Sequence, residues 1–349
     1  MRVGILTGGG DCPGLNAVIR AVVIAGHVRY GYETLGYLDG WRGVLEDRAR
    51  VLDPVESAGL LTLGGTVLGT SRTNPFAEDK GPALVIENLG SRGVDAVVAI
   101  GGDDTLGVAS RLWLLGVRVV GVPKTIDNDL SGTEVTFGFD TAVQTATEAI
   151  DRLGTTAESH HRVIVCEVMG RNAGWIATEA GIAGGAAEIL VPEVPFDLAE
   201  VCAKLVRRHE RGQFFSIVVV AEGALPANPD EASSAAAARS GARADAFGHA
   251  RLGGIGSWLA DELERRTGYE ARSTTLGHIQ RGGSPTAYDR VLATRFGVAA
   301  VEAVHDGDFG VMVALRSSAI VRVPLSEAVG NPKTVDRDLL EGVAAPFLG

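Results

Sequence analysis

Between residues 95 and 129 the chain twice runs an apolar, β-branched stretch straight into a turn crowded with carboxylates. Asp95-Ala96-Val97-Val98-Ala99-Ile100 leads into Gly101-Gly102-Asp103-Asp104, and Val117-Arg118-Val119-Val120-Gly121-Val122 leads into Pro123-Lys124-Thr125-Ile126-Asp127-Asn128-Asp129. Short continuous apolar runs bounded by Gly or Pro read as strands buried on both faces. Such strands belong to parallel sheets covered by helical crossovers, which makes the chain an α/β protein. In these sheets the residues just past the strand carboxyl ends meet in the ligand crevice. Asp103, Asp104, Lys124, Asp127 and Asp129 are therefore expected on one cleft. Acids for Mg²⁺ and for a hydroxyl proton, beside a cation for phosphate, describe a phosphoryl-transfer centre.

The same rhythm extends to both sides. Val3-Gly4-Ile5-Leu6 passes through a glycine-rich loop into an amphipathic helix from about Leu15 to His27, and Glu33–Tyr37 reads as the next strand. A second series begins near Thr141: helix Ala142–Arg152, strand Arg162–Val168, helix Ala173–Ala183, strand Glu188–Val191, helix Leu198–Arg211 and strand Phe215–Ala221. With 349 residues the chain is long enough for two α/β domains, each with its own core. From Pro226 to Gly248 large apolar residues almost vanish, which predicts a solvated, mobile insertion. A helix over Ile255–Arg266 follows, and Ala271–Ile279 leads into the turn Arg281-Gly282-Gly283-Ser284-Pro285.

A net charge of −11 argues against non-specific binding to nucleic acid or to an anionic membrane, while leaving room for a local arginine cluster that takes phosphate. Cys12, Cys166 and Cys202 are odd in number and far apart, neither a disulfide framework nor a zinc spacing, so a reducing, cytoplasmic setting is expected. The start of the sequence enters a strand without a signal-peptide pattern, and no apolar run approaches a membrane span. Only four lysines occur, and one of them, Lys124, stands inside the second acidic motif.

Each motif has a functional and a structural reading. Gly8-Gly9-Gly10-Asp11, between a strand and a helix, is a candidate anion cradle or simply a tight turn. It is not the dinucleotide fingerprint, because Pro13 takes the third required position, and without any Gly-Lys pair it is not a Walker loop. In Gly101-Gly102-Asp103-Asp104-Thr105 the glycines admit a phosphate and Asp103 suits Mg²⁺. The alternative is a carboxylate capping a helix that starts near Leu106. Asp127 and Asp129 fall on the same side if their segment is extended, one to accept a hydroxyl proton and the other to orient it or share the metal; the alternative is an Asx-turn. Arg162, Arg171, Arg272, His278 and Arg281 form a cationic set suited to phosphate oxygens.

Together these residues resemble the bacterial-type 6-phosphofructokinases over nearly the whole chain. The resemblance rests on Leu6-Thr7-Gly8-Gly9-Gly10-Asp11-Cys12-Pro13-Gly14-Leu15-Asn16, Gly101-Gly102-Asp103, Thr125–Asp129, Glu167-Val168-Met169-Gly170-Arg171 and Leu276–Pro285. It implies two Rossmann-like three-layer α/β/α domains: residues 1–138 plus 280–330 for the phosphoryl donor and Mg²⁺, and 139–279 plus 331–349 for fructose 6-phosphate. It implies Asp127 as general base on the 1-hydroxyl, supported by Thr125 and Asp129, with Asp103 at the Mg²⁺ position. Arg72 and Arg171 match positions near the transferring phosphoryl group, and Gly9 and Gly10 match the donor loop. Arg162, Met169, Gly170, Glu222, Arg272, His278 and Arg281 match the sugar-phosphate site. Because the counterparts of Arg162 and Arg272 reach in from a neighbouring subunit, a homodimer or homotetramer with shared sites is implied.

Two departures bear on the donor. ATP-using members generally carry glycine where Asp104 and Lys124 stand, whereas the pair found here resembles the pyrophosphate-dependent branch. An acid at 104 takes room from a nucleoside and repels its α-phosphate. Two unit charges ~4 Å apart at an effective dielectric near 20 cost about 4 kcal/mol, and a third of that is roughly tenfold in affinity. Lys124 would compensate on the small donor. The implied reaction is reversible transfer from pyrophosphate to fructose 6-phosphate, in glycolysis or gluconeogenesis, with ATP as the alternative donor. Ile24, Gly154 and Gln213 stand uncharged where ATP-dependent relatives build a basic effector pocket, so a non-allosteric enzyme is expected.

Overall fold

In the computed structural model, which describes residues 1–238 and 252–348, the apolar runs are strands buried along most of their length. They are β1 (Arg2–Thr7), β2 (Glu33–Tyr37), β3 (Ala49–Leu52), β4 (Ala96–Gly101), β5 (Val119–Pro123), β6 (Val163–Val168), β7 (Glu188–Leu190), β8 (Ser216–Ala221), β9 (Ala271–Thr275), β10 (Val311–Arg316) and β11 (Ala319–Pro324). The helices are α1 (Leu15–Tyr30), α2 (Trp41–Leu45), α3 (Pro54–Ser57), α4 (Gly81–Ser91), α5 (Asp103–Leu114), α6 (Phe139–His160), α7 (Trp175–Ala183), α8 (Leu198–Glu210), α9 (Pro229–Ala238), α10 (Ile255–Thr267), α11 (Ala287–Asp306) and α12 (Leu325–Ala328).

The chain divides into two α/β units. The first holds Met1–Thr141 and Arg281–Pro332; the second holds, among the described residues, 142–238, 252–280 and 333–348. In the first unit the strand order is β11-β10-β5-β4-β1-β2-β3, parallel except where β3 pairs with β2 and β11 with β10. Val97 and Ala99 of β4 and Val119 of β5 pack with residues of α2, α4 and α5, while the alternate residues Val98, Ile100 and Val120 are buried on the opposite face. The chain leaves β1 for β2 on one side and returns to β4 on the other, so the crevice of this sheet opens beside β1. In the second unit the order is β7-β8-β6-β9, parallel throughout. There the reversal falls at β6, between β8 and β9.

Three expectations need correction. The helix after Gly102 begins at Asp103, not near Leu106, and Gly102 is its N-cap without a side-chain cap bond. Asp103 and Asp104 are thus first-turn residues, where carboxylates meet the positive end of the helix. The Thr125–Asp129 segment is bent rather than extended, and Asn128 has φ +50°. The insertion expected over 226–248 contains α9, which packs on α10: Ala235 is fully buried and Trp258 Nε1 donates to Ser234 Oγ at 3.1 Å. Residues 239–248 of that segment lie outside the described residues.

Candidate active site

At the carboxyl edge of the first sheet the glycine loop after β1 is shaped by its neighbours. Gly8 N–H donates to Ile100 O at 2.9 Å and Gly9 N–H to Ser71 O at 3.1 Å. Two donors of the expected anion cradle are therefore already used, and Gly9 serves by room and by its left-handed φ of +81°. The buried Thr105 side chain leaves no space for a Cβ at Gly8 or Gly101. The Arg281 guanidinium lies where a Cβ on Gly10 would sit, 2.0 Å from Nη1. Arg72 is exposed at the end of the 63–72 loop, which is stitched to this edge by Thr70 Oγ1 donating to Gly9 O at 2.6 Å and Thr7 Oγ1 donating to Gly69 O at 2.8 Å.

Lys124 follows β5, and its backbone N–H donates to Gly101 O at 3.0 Å. Its side chain is 4 % exposed and its ammonium donates to Gly10 O, bridging two of the three motif loops. Burial holds this lysine below its ordinary pKa; Arg281 adds to the effect, while Cys12, Asp11 and Asp129 oppose it. Burial also pushes the Asp129 carboxyl above its usual range, Thr125 lowers it by hydrogen bonding, and the Asp103 charge raises it. Asp103, Lys124, Thr125 and Asp129 thus interact directly or electrostatically within one unit. Asp127 lies in the bend, its N–H donating to Thr125 Oγ1 at 3.1 Å.

Asp103 is exposed, and its Oδ1 accepts from Gly330 N–H at 2.7 Å. Beside it is a cavity of about 340 Å³, its walls including Asn74, Asp103, Asp104, Arg111, Val329 and Gly330. Among the described residues no three carboxylate, imidazole or thiol groups form a metal cage. The carboxylates of Asp103 and Asp104 on the cavity wall fit Mg²⁺, which is commonly held by one or two carboxylates with the remaining ligands from phosphate and water.

The carboxyl edge of the second sheet gathers Met169, Gly170, Arg171, Glu222 and His278. Glu222 N–H donates to Val168 O at 2.9 Å and Gly223 N–H to Gly170 O at 3.0 Å, which binds the loop after β6 to the loop after β8. His278 is exposed on the 3₁₀ turn Gly277–Arg281 that follows β9. Arg162 and Arg272 are elsewhere. They stand at the amino ends of β6 and β9, both paired with Glu270, at 2.8 and 2.6 Å. The six residues of β6 separate Arg162 from Arg171 by about 20 Å, so one unit does not bring these arginines together.

Several positioning residues escaped the sequence reading. Asn16, buried on α1, donates to Leu63 O and Gly64 O at 3.1 Å and accepts from Val67 N–H at 2.9 Å, anchoring the loop that ends at Arg72. Asn128 accepts from Thr136 N–H at 3.1 Å and fixes the bend between the two acids. A polar residue on an otherwise apolar helix face was the available signal for Asn16. Nothing local marks Thr105.

A sequence profile described as Phosphofructokinase matches residues 2–304. The chain belongs to the phosphofructokinase family. Among curated relatives, "Pyrophosphate--fructose 6-phosphate 1-phosphotransferase" of Streptomyces coelicolor is 59% identical over 99% of this chain and 100% of its own length. "ATP-dependent 6-phosphofructokinase 2" of the same organism is 54% identical, over 99% and 100%. Among solved structures, phosphofructokinase from Saccharomyces cerevisiae superposes with a TM-score of 0.80 at 32% identity, covering 93% of this chain; the chain spans 45% of the yeast one. The family's two-domain α/β fold is the architecture described above. Among the described residues no helix of this family member is long and apolar enough to cross a membrane.

Proposed function

We propose that this phosphofructokinase-family protein catalyses reversible transfer of a phosphoryl group from pyrophosphate to the 1-hydroxyl of D-fructose 6-phosphate. The first unit serves the donor, and the second, together with Arg281 of the first, serves the sugar phosphate. The 1-hydroxyl oxygen attacks the terminal phosphorus, the bond to the bridging oxygen breaks, and orthophosphate leaves. Asp127 accepts the hydroxyl proton, and Thr125 and Asp129 keep it oriented. Lys124, Arg72 and Arg171 neutralise charge on the phosphoryl oxygens, while Met169, Gly170, Glu222, His278 and Arg281 hold the sugar phosphate. Mg²⁺ would be held by Asp103 together with phosphate oxygens, and when bound it offsets the negative charge of the donor. Arg162 and Arg272, standing at the far end of their own sheet, are assigned to the site of a neighbouring copy in a homo-oligomer.

The observation that carries the donor assignment is the contrast between Asp104 and Lys124. Asp104 lies on the wall of the cavity where a nucleoside would have to fit, and Lys124 is buried against the glycine loop where a small anion would bind. ATP stays the alternative donor, because an ATP-dependent relative is 54% identical to this chain. The test offers purified protein each donor with fructose 6-phosphate and Mg²⁺. Turnover with pyrophosphate and little with ATP is expected. Joint substitution of Asp104→Gly and Lys124→Gly should move the ratio of kcat/KM toward ATP by about tenfold or more. A donor preference indifferent to both changes defeats the assignment.

A further inference from the structure

His278 and Ile279 are both exposed, Ile279 at 58 %, yet the next residue, Gln280, is fully buried. A neutral amide at zero exposure needs partners for both ends. Gln280 Oε1 accepts from Met169 N–H at 3.3 Å, and Nε2 donates to Gly277 O at 3.0 Å. The first bond reaches the loop after β6; the second closes the turn that displays His278. The ladder between β6 and β9 ends just before this point, where Leu276 N–H donates to Glu167 O at 2.9 Å. Beyond it the two chains diverge, and the Gln280 side chain takes the place of the next rung.

On its other flank the same β6 loop is fixed by Gly223 N–H donating to Gly170 O at 3.0 Å. Gly170, with φ +139°, also leaves no space for a Cβ against Ala173 O, which narrows the path of this loop. The Gln280 side chain is a replaceable link between that path and the His278 turn. Serving a backbone donor and a backbone acceptor at once, without charge, takes a carboxamide of this length. Glutamate keeps the acceptor but sets an oxygen against the Gly277 carbonyl. Methionine fills similar space and serves neither.

We propose that Gln280 is the positioning residue of the sugar-phosphate site, holding Met169, Gly170 and Arg171 in register with His278. It acts through those residues and does not itself touch the substrate. The inference rests on the assignment of fructose 6-phosphate to the second unit. Since the donor groups other than Arg171 are attributed to the first unit, loss of Gln280 should fall mainly on fructose 6-phosphate.

Steady-state kinetics on the full-length protein with pyrophosphate and Mg²⁺ test this through Gln280→Met and Gln280→Glu. The methionine variant should raise KM for fructose 6-phosphate by about three- to tenfold, the equivalent of one neutral hydrogen bond, with KM for pyrophosphate within about twofold of the unaltered protein. In the glutamate variant the defect should shrink on acidification, because a protonated carboxyl again donates to Gly277 O while its carbonyl accepts from Met169. That pH-dependent recovery, relative to the unaltered protein, decides the matter even where methionine prevents folding. Equal KM increases for both substrates, an unchanged KM for fructose 6-phosphate, or a glutamate defect indifferent to pH overturns the inference while leaving the functional reading intact. An unaltered protein that never turns over fructose 6-phosphate overturns the reading and this inference with it.

Discussion

The carboxyl edges of the two sheets hold their candidate groups by different means. In the first unit, side-chain charge is packed into space that glycine leaves: Lys124 is buried against Gly10 O and the Arg281 guanidinium lies over the Gly10 Cα. In the second, the loops are joined mostly through main chain, Glu222 to Val168, Gly223 to Gly170 and Met169 to the Gln280 amide. Charges in the first edge shift one another's proton affinity, as exposed Asp103 and buried Lys124 do to Asp129. Main-chain bonds carry no such adjustable charge, but they fix shape. The difference suits one edge to reaction and the other to recognition of a rigid, neutral sugar ring with a phosphate at its end.

Removing the base should separate the two edges most sharply. Asp127→Asn keeps the volume and the bend at Asn128 but abolishes proton acceptance. It is expected to lower kcat by roughly 10²–10⁴-fold, with both KM values and the unfolding midpoint close to those of the unaltered protein. A kcat within a few-fold would move the chemistry away from the first edge and dissolve the contrast.

Buried charge beneath the first edge should also appear in stability. Asp289 of α11 is fully buried and receives Gly138 N–H at 2.9 Å, Thr141 N–H at 2.9 Å and Thr141 Oγ1–H at 2.5 Å, capping the start of α6. Burial pushes its carboxyl up from 3.8 to about 6, against the pull of those three bonds. A pKa raised on folding gives stability that is complete below the unfolded value and is lost as pH rises through the folded one. Asn at 289 does not titrate. The stability of the unaltered protein relative to Asp289→Asn should therefore fall by about 2 kcal/mol between pH 4 and pH 7, read from denaturant titrations at both pH values. A difference that stays flat would show that Asp289 is accommodated as a charge without penalty.

Much of this was legible before the coordinates because it depends on local pattern. The β1, β4, β5, β6 and β8 runs are continuous apolar stretches, and parallel strands buried on two faces leave that mark. The acids and Lys124 stand out because charged residues at strand ends are few. What stayed hidden depends on partners distant in sequence. Nothing near Gly8 or Gly101 reveals that Thr105 fills their missing side-chain space. Asn128 looks like a third polar residue between two acids until Thr136 is seen to bond it. The β10–β11 hairpin and α11 carry no motif, and beyond membership of the donor domain their sequence predicts nothing, although α11 supplies Asp289. Arg162 and Arg171 read as members of one cationic set by residue type alone, and the length and direction of β6 put them at opposite ends of it.

Two glycines bring the contrast between the edges to its finest test, since each would place a Cβ 2.0 Å from a neighbouring atom. At Gly10 that atom is Nη1 of Arg281, the far end of a flexible side chain. At Gly223 it is the backbone carbonyl oxygen of Arg171, with the Gly170 carbonyl oxygen 2.9 Å away. A guanidinium swings aside with little strain, whereas a carbonyl moves only with its loop. Gly10→Ala should therefore keep stability within about 1 kcal/mol while costing roughly ten- to a hundredfold in kcat/KM, because a displaced phosphate ligand is a misplaced one. Gly223→Ala should instead lower stability by roughly 1–3 kcal/mol, the usual range for overpacking. Chemical denaturation and steady-state assays on both variants compare the two directly. Matching losses would mean that the first edge is as rigid as the second, and that its charges are fixed by the main chain after all.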